Sequence, residues 1–472
     1  MHGHRHGLAI GVLALAHATV WGAAQAGAAN RVDDRFLYTP EELAAIYRHS
    51  PLPAVPPDPT NAYAENAGAA RLGQFLFFDS HLSANGRVAC ATCHQPDRAF
   101  TDGRKLARGI AVGTRNAPSL LDVAFNHWFF WDGRADSLWS QALQPFENPR
   151  EAGTDRLHIA HLIDGDPALR GAYGRIFGPL PDLHDRERFP AHARPDRNPR
   201  LGLERAWVGM APADRAAVNR LYSNLAKAIE AYERELIDPG SAFDRYVAAL
   251  RSGDSTQQNV LSPVAKRGLK LFVGAGNCEL CHAGPTFSDG QFHNLGLPVL
   301  DGEAADTGRA GGLGLLRADP FNGTGAFSDE RDGAARSRIA YLPAPASQLG
   351  AFKTPDLRNV ALTSPYMHDG RFATLAAVLE FYAQSKAASH ARLVGQPETT
   401  AALVPHLSER QRAELVAFLR TLTSAPLPDW LTRAPPRPWL RSRRLRRQAM
   451  KAAEWTTQRG PGSGRNSLPL GK

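Results

Sequence analysis

Cys90-Ala-Thr-Cys93-His94 and Cys278-Glu-Leu-Cys281-His282 are the two stretches that decide the fold of this chain, and they contain all four of its cysteines. Two thiols three residues apart can each form a thioether with a vinyl group of one haem, and the histidine that follows then ligates the iron. A pair of zinc sites is the alternative, but neither motif has the further nitrogen or sulfur ligands that a tetrahedral site needs. The repeated motif therefore predicts two covalently bound haem c groups, with His94 and His282 as proximal ligands.

A short pattern ahead of each motif indicates two related haem modules. Gly73-Gln-Phe-Leu76-Phe77 and Gly268-Leu-Lys-Leu271-Phe272 share the order Gly-x-x-Leu-Phe. Helix signals recur along the chain, whereas the alternating pattern of strands is rare. We therefore expect a mainly α fold made of two cytochrome c-like haem domains with long loops.

Local signals place several helix ends. Thr39 with Glu42, and Ser408 with Gln411, have the spacing of an N-terminal capping box. Another helix has apolar residues three or four positions apart and ends at Asp238-Pro239-Gly240. Its apolar face consists of Val218, Leu221, Leu225, Ile229, Tyr232 and Leu236.

The end of that helix is the predicted boundary between the modules. We expect an N-terminal haem domain at residues 31–238 and a C-terminal haem domain at residues 239–428. Residues 178–213 are rich in Pro, Arg and Asp, which is typical of a long connection. The Gly- and Ala-rich segment at about 300–348 is predicted to be a second long loop that covers a haem edge.

The N-terminus has the features of an export signal. Arg5 precedes an apolar run from Leu8 to Trp21, and Ala24-Gln25-Ala26 is a small-x-small cleavage site. We predict a cleaved signal peptide at residues 1–26, with an uncleaved anchor as the alternative. Because haem c is attached outside the cytoplasm, the expected location is the periplasm.

The C-terminal segment carries most of the positive charge. Residues 433–472 contain 11 Lys or Arg residues and a single acid, against a net charge of +9 for the whole chain. This composition is typical of a disordered tail. The tail either docks on an acidic partner or an anionic membrane surface, or is simply solvated; nucleic acid is not expected as a partner outside the cytoplasm.

The side chains opposite each proximal histidine decide whether a haem is open for chemistry or closed as an electron relay. Residues 95–126 contain no His or Met, and His127, which follows, lies in an aromatic cluster typical of a packed core. We therefore predict an open distal face on the first haem. For the second haem, Met367 and Tyr382 are both candidate ligands, and the residues alone leave the choice open.

From about residue 65 to 425 the chain resembles the bacterial dihaem cytochrome c peroxidase/MauG family. The resemblance rests on several sequence blocks in addition to the two haem motifs. These blocks are Leu76-Phe-Phe-Asp79, Arg115-Asn-Ala-Pro118, Phe130-Trp-Asp-Gly-Arg134, His282-Ala-Gly-Pro285, Phe352-Lys-Thr-Pro355 and Pro365-Tyr-Met-His-Asp-Gly370.

The resemblance implies roles for four residues near the haem of His94. Trp131 matches the tryptophan that relays electrons or holes between the two haems. Gln141 and Glu151 match polar groups of the distal pocket, where a carboxylate can move a proton as the O–O bond of peroxide breaks. Pro145 matches a residue that shapes the same pocket.

The resemblance also implies one Ca²⁺ between the domains. Its expected ligands are Asn116 and the backbone carbonyls of Thr363 and Pro365. All three are hard oxygen donors, which suit calcium and leave room for waters.

Two departures favour the MauG-like branch of the family. The histidine that covers the peroxidatic haem in typical peroxidases aligns near Ile110, so no reductive activation is expected. The methionine ligand of the typical high-potential haem aligns with Tyr382, and a phenolate favours the higher oxidation states of iron. The resemblance therefore ranks Tyr382 above Met367 as ligand, with His368 able to form a hydrogen bond near the haem edge.

Together these features predict a periplasmic dihaem peroxidase that reduces hydrogen peroxide at the haem of His94, with the haem of His282 as relay. The electron donor is expected to be a small c-type cytochrome or a blue-copper protein. The first alternative is a MauG-like enzyme that oxidises residues of a partner protein by long-range electron transfer. An alternative of another class is a non-catalytic dihaem electron-transfer protein.

Overall fold

The fold is described from a computed structural model. It describes residues 33–196, 202–300, 302–330, 333–343, 345–384, 392–398 and 403–437. The predicted signal peptide and residues 438–472 of the predicted tail lie outside the described residues. In the described segments, no helix has the length and apolar character needed to cross a bilayer.

The described chain is helix-rich, with a single small sheet. Strands β1, Phe292–His293, and β2, Phe352–Lys353, pair antiparallel. The helices are α1 Pro40–Arg48, α2 Ala67–Phe78, α3 Cys90–Cys93, α4 Leu138–Glu147, α5 Arg156–Gly165, α6 Pro167–Phe177, α7 Leu203–Gly209, α8 Pro212–Glu233, α9 Ala242–Ser252, α10 Pro263–Val273, α11 Arg309–Ala318, α12 Ala334–Ala340, α13 Leu375–Gln384 and α14 Glu409–Arg420.

Two separate hydrophobic cores organise these helices. The first core contains residues of α2, α4, α5, α6 and α8. The second contains residues of α1, α9, α10, α13 and α14. The predicted mainly α fold is confirmed, and it has two cores.

In each core, two helices cross at the glycine of the repeated Gly-x-x-Leu-Phe pattern. A Cβ atom at Gly73 would overlap the backbone carbonyl of Ala228 on α8, and one at Gly268 would overlap that of Glu414 on α14. Only glycine lets two helix backbones approach so closely. The repeat therefore marks the contact between the helix preceding each haem motif and its main partner, α2 on α8 and α10 on α14.

Some segments pack with the core that is more distant from them along the chain. Tyr38 and Ile46 belong to the second core, whereas Phe321 and Leu431 belong to the first. The predicted division into residues 31–238 and 239–428 stays a prediction, because the chain passes between the two cores more than once.

Several predicted helix ends are confirmed and the loop predictions need correction. The capping boxes of Thr39 with Glu42 and of Ser408 with Gln411 are both formed. The segment at about 300–348 contains α11 and α12, so the prediction of one long loop there is wrong. Helix α7 likewise lies within the predicted connection at 178–213. The glycines of α11 concealed that helix, since glycine lowers helix propensity, and the Pro-rich surroundings of α7 concealed that one.

A second internal repeat places the distal side of each haem module. In the first module a bridge between Phe129 and Ala135 closes a turn, and α4 follows three residues later. In the second, a bridge between Tyr366 and Phe372 closes a turn, and α13 follows at the same spacing and with the same length. At this register Trp131 corresponds to His368, and Pro145 to Tyr382.

Candidate functional site

Both haem motifs line one cavity of about 1060 Å³. The side chains predicted to act in the site, apart from Cys90, contribute to its wall. Cys90 instead packs against the first core. The predicted site residues on the wall are Cys93, His94, Asn116, Trp131, Gln141, Pro145, Glu151, Cys278, Cys281, His282, Thr363, Pro365 and Tyr382.

The two predicted proximal histidines are held in the same way. The Nδ1 atom of His94 lies 3.0 Å from the carbonyl oxygen of Phe100, and that of His282 lies 2.8 Å from that of Phe287. When Nδ1–H donates to a carbonyl, Nε2 is left to ligate a metal. Burial lowers the pKa of both imidazoles, which favours the neutral form that binds iron.

These features fit a covalent haem in each module. His94 caps α3, which carries Cys90 and Cys93, and the second motif begins in a short 3-10 helix at Cys278–Leu280. Cys93, Cys278 and Cys281 therefore lie at the cavity wall together with the histidine of their motif. The cavity is roomy and both imidazoles are oriented, so the chain offers thioether and axial-ligand positions for two haems.

Gln141, Pro145 and Glu151 form the distal side of the first module. Gln141 and Pro145 are four residues apart on α4, which puts them on one face of the helix. Glu151 follows the end of α4, and its Oε1 atom accepts a hydrogen bond of 2.5 Å from Nδ2 of Asn148. Burial raises the pKa of Glu151, while Arg134 and the Asn148 hydrogen bond act to lower it. A buried carboxyl beside an open cavity can act as a general acid or base.

The loop around Ile110 docks against Glu151 and leaves the cavity uncovered by its side chain. The backbone N–H of Ile110 donates to the carbonyl of Glu151, and that of Ala111 to the carbonyl of Arg150, both at 2.9 Å. Ile110 itself is 39% exposed and does not contribute to the cavity wall. The segment that aligns with the covering histidine of typical peroxidases therefore supports the backbone of Glu151.

Tyr382 and Met367 both reach the cavity from the second module. Tyr382 is on α13, and burial raises its pKa well above the ordinary phenol value. Met367 lies in the preceding turn with a positive φ of 73°. The ligand assignment to Tyr382 remains a prediction.

Trp131 ties the two modules together. Its Nε1–H donates to the carbonyl of Asn116 at 2.9 Å, and its own carbonyl accepts from the backbone N–H of Lys353 at 2.8 Å. The backbone N–H of Asn116 donates to the carbonyl of His368 at 2.8 Å. The indole is therefore fixed between segments of both modules.

His368 has a packing role that the sequence did not reveal. Its ring stacks on Phe352 with 3.6 Å between ring centres and 10° between planes. Burial lowers its pKa to about 4, so the imidazole is neutral. The hydrogen bond predicted for His368 near a haem edge stays a prediction.

The predicted calcium ligands lie on the same wall. The amide nitrogen of Asn116 donates to the carbonyl of Arg104 at 2.7 Å. Thr363 and Pro365 follow the short helix Val360–Leu362. The donor set is all oxygen, as Ca²⁺ requires, and the site remains a prediction.

A charged network around the Trp131 turn was not predicted. Arg115 pairs with Asp132 at 2.6 Å and with Asp306 at 2.8 Å. Arg309 of α11 donates to the carbonyls of Asp132 and Gly133 at 3.2 and 2.5 Å. The Asp-Gly-Arg sequence, which occurs at 132–134 and again at 369–371, was the available signal.

Two oriented histidines, four motif cysteines and one shared cavity define a dihaem c-type protein in which the distal sides of the modules differ. A family model described as di-haem cytochrome c peroxidase matches residues 67–252.

Curated relatives and solved structures agree with this class. The methylamine utilization protein MauG of Methylorubrum extorquens is 29% identical over 84% of this chain and 89% of its own length. Cytochrome-c peroxidase IdrP2 of Denitromonas iodatirespirans is 30% identical over 82% of this chain and 88% of its own. The crystal structure of a MauG-like protein associated with microbial copper homeostasis superposes with a TM-score of 0.55, at 26% identity over 82% of this chain and 98% of that one.

The chain belongs to the dihaem cytochrome c peroxidase/MauG family. It is accordingly an oxidoreductase of the dihaem peroxidase type, and the family implies two haem c groups.

Proposed function

We propose that this protein reduces hydrogen peroxide on the distal side of the His94 module and passes oxidising equivalents to the His282 module through Trp131. The main support is the correspondence of Pro145 with Tyr382 at one helix position. Proline offers no ligand atom at the first haem, whereas tyrosine offers an oxygen at the second. A site for chemistry and a site for charge storage follow from this single difference.

When bound, the haem of His94 supplies the iron at which the O–O bond of peroxide breaks. Glu151 would take a proton from one peroxide oxygen and deliver it to the other, which leaves as water. Gln141 orients the peroxide by hydrogen bonding. Pro145 keeps the distal face clear of protein ligands.

The second module is suited to hold oxidising charge. Tyr382 would ligate the iron of the second haem, and its phenolate oxygen would stabilise the oxidised centre more than the thioether of Met367 would. Trp131, fixed by its hydrogen bond to Asn116, is the proposed relay between the modules. An indole is oxidised more easily than most side chains, which a relay requires.

Two versions of this function differ in the source of the electrons. In the cytochrome c peroxidase version, a small c-type cytochrome or a blue-copper protein supplies them. In the MauG-like version, residues of a protein substrate supply them over a long distance. The oxygen of Tyr382 on the second module favours the MauG-like version, and relatives of both names match this chain.

We also propose a periplasmic location and one Ca²⁺ between the modules. The location rests on the export signal predicted at residues 1–26 and on the chemistry of haem c attachment. The calcium rests on the three oxygen donors of Asn116, Thr363 and Pro365.

The test is an EPR and optical spectrum of the oxidised protein, before and after stoichiometric peroxide without reductant. We expect one high-spin and one low-spin haem, and a spectral change at once on adding peroxide. Two low-spin signals with no response to peroxide would instead support the non-catalytic electron-transfer protein. Product analysis with a reduced cytochrome c, a reduced blue-copper protein and no donor then separates the two versions.

A further inference from the structure

Trp128 is a second indole on the wall of the haem cavity, three residues before Trp131. It is half-buried. An oxidised centre in this cavity therefore has two indoles from which to draw an electron. Loss of an electron from Trp128 would divert oxidising equivalents away from the relay.

A fixed positive charge lies over Trp128. The guanidinium carbon of Arg309 is 4.5 Å from the ring centre of Trp128 and 4.0 Å from that of Phe292. Arg309 is only 2% exposed, and its hydrogen bonds to the carbonyls of Asp132 and Gly133 hold it in place. Gly133 is needed there, because a Cβ atom at this residue would collide with Arg309 and Phe292.

Trp131 has the opposite surroundings. Among the described residues, no Lys or Arg side chain lies over its ring. Its Nε1–H donates to the carbonyl of Asn116 at 2.9 Å. A carbonyl acceptor stabilises the positive charge that an oxidised indole carries, whereas a nearby guanidinium opposes it by Coulomb repulsion. Because Arg309 is buried, solvent and salt screen it weakly.

We infer that Arg309 is a positioning residue that keeps Trp128 reduced, so that oxidising equivalents formed with peroxide stay on Trp131. This inference rests on the proposed function. Arg309 acts through the electrostatic potential at the Trp128 ring and contacts neither peroxide nor haem in this scheme.

The side reaction that Arg309 suppresses is a balanced two-electron oxidation. Trp128 and one water lose two electrons and two protons, and the indole gains one oxygen atom. Hydrogen peroxide takes up those electrons and protons and becomes two waters. The net change is one oxygen added to Trp128 and one water released per peroxide.

The experiment compares Arg309→Gln with Arg309→Lys in the haem-loaded protein, given a few equivalents of peroxide and no reductant. Peptide mass spectrometry measures oxygen addition at Trp128. We expect about tenfold more oxidised Trp128 in Arg309→Gln than in wild type, because the opposing charge is gone. Arg309→Lys keeps the charge and should stay near wild type. If Arg309→Gln does not fold, Arg309→Met replaces it, since it retains the apolar stem.

A second readout separates the charge from the hydrogen bonds that Arg309 makes to the turn. The peroxide-oxidised spectrum should decay faster in Arg309→Gln, and adding Trp128→Phe should restore the wild-type decay. Equal Trp128 oxidation in Arg309→Gln and wild type would overturn the inference. So would fast decay that persists in the double variant, which would assign Arg309 to holding the turn. Failure of the wild type to consume peroxide would overturn the proposed function and this inference together.

Discussion

The two haem modules are built from the same parts, yet one helix position separates their proposed chemistry. In each, a bridged turn leads into a ten-residue helix, α4 in the first module and α13 in the second. At corresponding positions α4 carries Pro145 and α13 carries Tyr382. In the proposed mechanism, a change of residue at this one position gives the duplicated scaffold one reactive and one charge-storing centre, while both histidines keep the same hydrogen bond.

The modules also differ in the titratable residue next to the predicted distal side. The first has Glu151, whose backbone is fixed by the loop at Ile110. The second has His368 stacked on Phe352, with its imidazole kept neutral by burial. Glu151 is the group proposed to move a proton in the first module.

The largest expected effect comes from removing the carboxylate of Glu151 in the first module. Glu151→Gln keeps the shape and the contact with Asn148 but cannot accept the peroxide proton. We expect peroxide turnover to fall by about 10²–10⁴-fold, the range for loss of general acid–base catalysis. Steady-state peroxide consumption measures this.

Glu380→Gln is the matched control for that loss. Glu380 is an exposed carboxylate on α13, hydrogen-bonded to Gln384. Its variant should turn over peroxide like wild type. A Glu151→Gln enzyme with wild-type turnover would remove Glu151 from the mechanism.

The next largest effect is expected in the second module, at Tyr382. Tyr382→Phe removes the ligand oxygen and makes α13 resemble α4, so the low-spin EPR signal should be lost or replaced. The reduction potential of that haem should rise, by about 59 mV for each tenfold loss of preference for the ferric state. Redox titration with EPR detection checks both.

Met367→Ala is the competing variant. If it changes the low-spin signal and Tyr382→Phe does not, Met367 is the ligand and the comparison of Pro145 with Tyr382 loses its meaning.

A smaller effect tests whether the two helix crossings are equivalent. Gly73→Ala and Gly268→Ala each place a methyl group against a backbone carbonyl. We expect each to lower the free energy of unfolding by about 1–3 kcal/mol, as overpacking does. Gly174→Ala, in α6 with open space around it, should be neutral or stabilising by about 0.4–1 kcal/mol. Denaturant unfolding of the haem-loaded protein measures all three free energies. An unchanged free energy of unfolding in Gly268→Ala would show that α10 and α14 pack less tightly than α2 and α8.

Much of this architecture follows from sequence because its signals are local. The cysteine motifs, the capping boxes at Thr39 and Ser408, and the paired Gly-x-x-Leu-Phe patterns each report on a few neighbouring residues. The contacts of Arg309 with Trp128 and Gly133 join segments far apart in the chain, and no local pattern reveals such pairs. The glycine-rich sequence of α11 hid the helix that carries Arg309, although those glycines allow its close packing: a Cβ atom at Gly312 would overlap the carbonyl of Asp132.

The smallest expected effect is a shift in pH dependence. Glu151 must be ionised to accept the peroxide proton, so turnover should fall as the pH decreases through its pKa. Burial raises that pKa, so the fall should begin at a higher pH than the ordinary carboxyl value of 4.5 would give. Asn148→Ala removes a hydrogen bond that favours the ionised form and should move the fall to still higher pH. The pH profile of kcat/KM for peroxide measures both, and an unshifted profile in Asn148→Ala would mean that another group controls the acid limb.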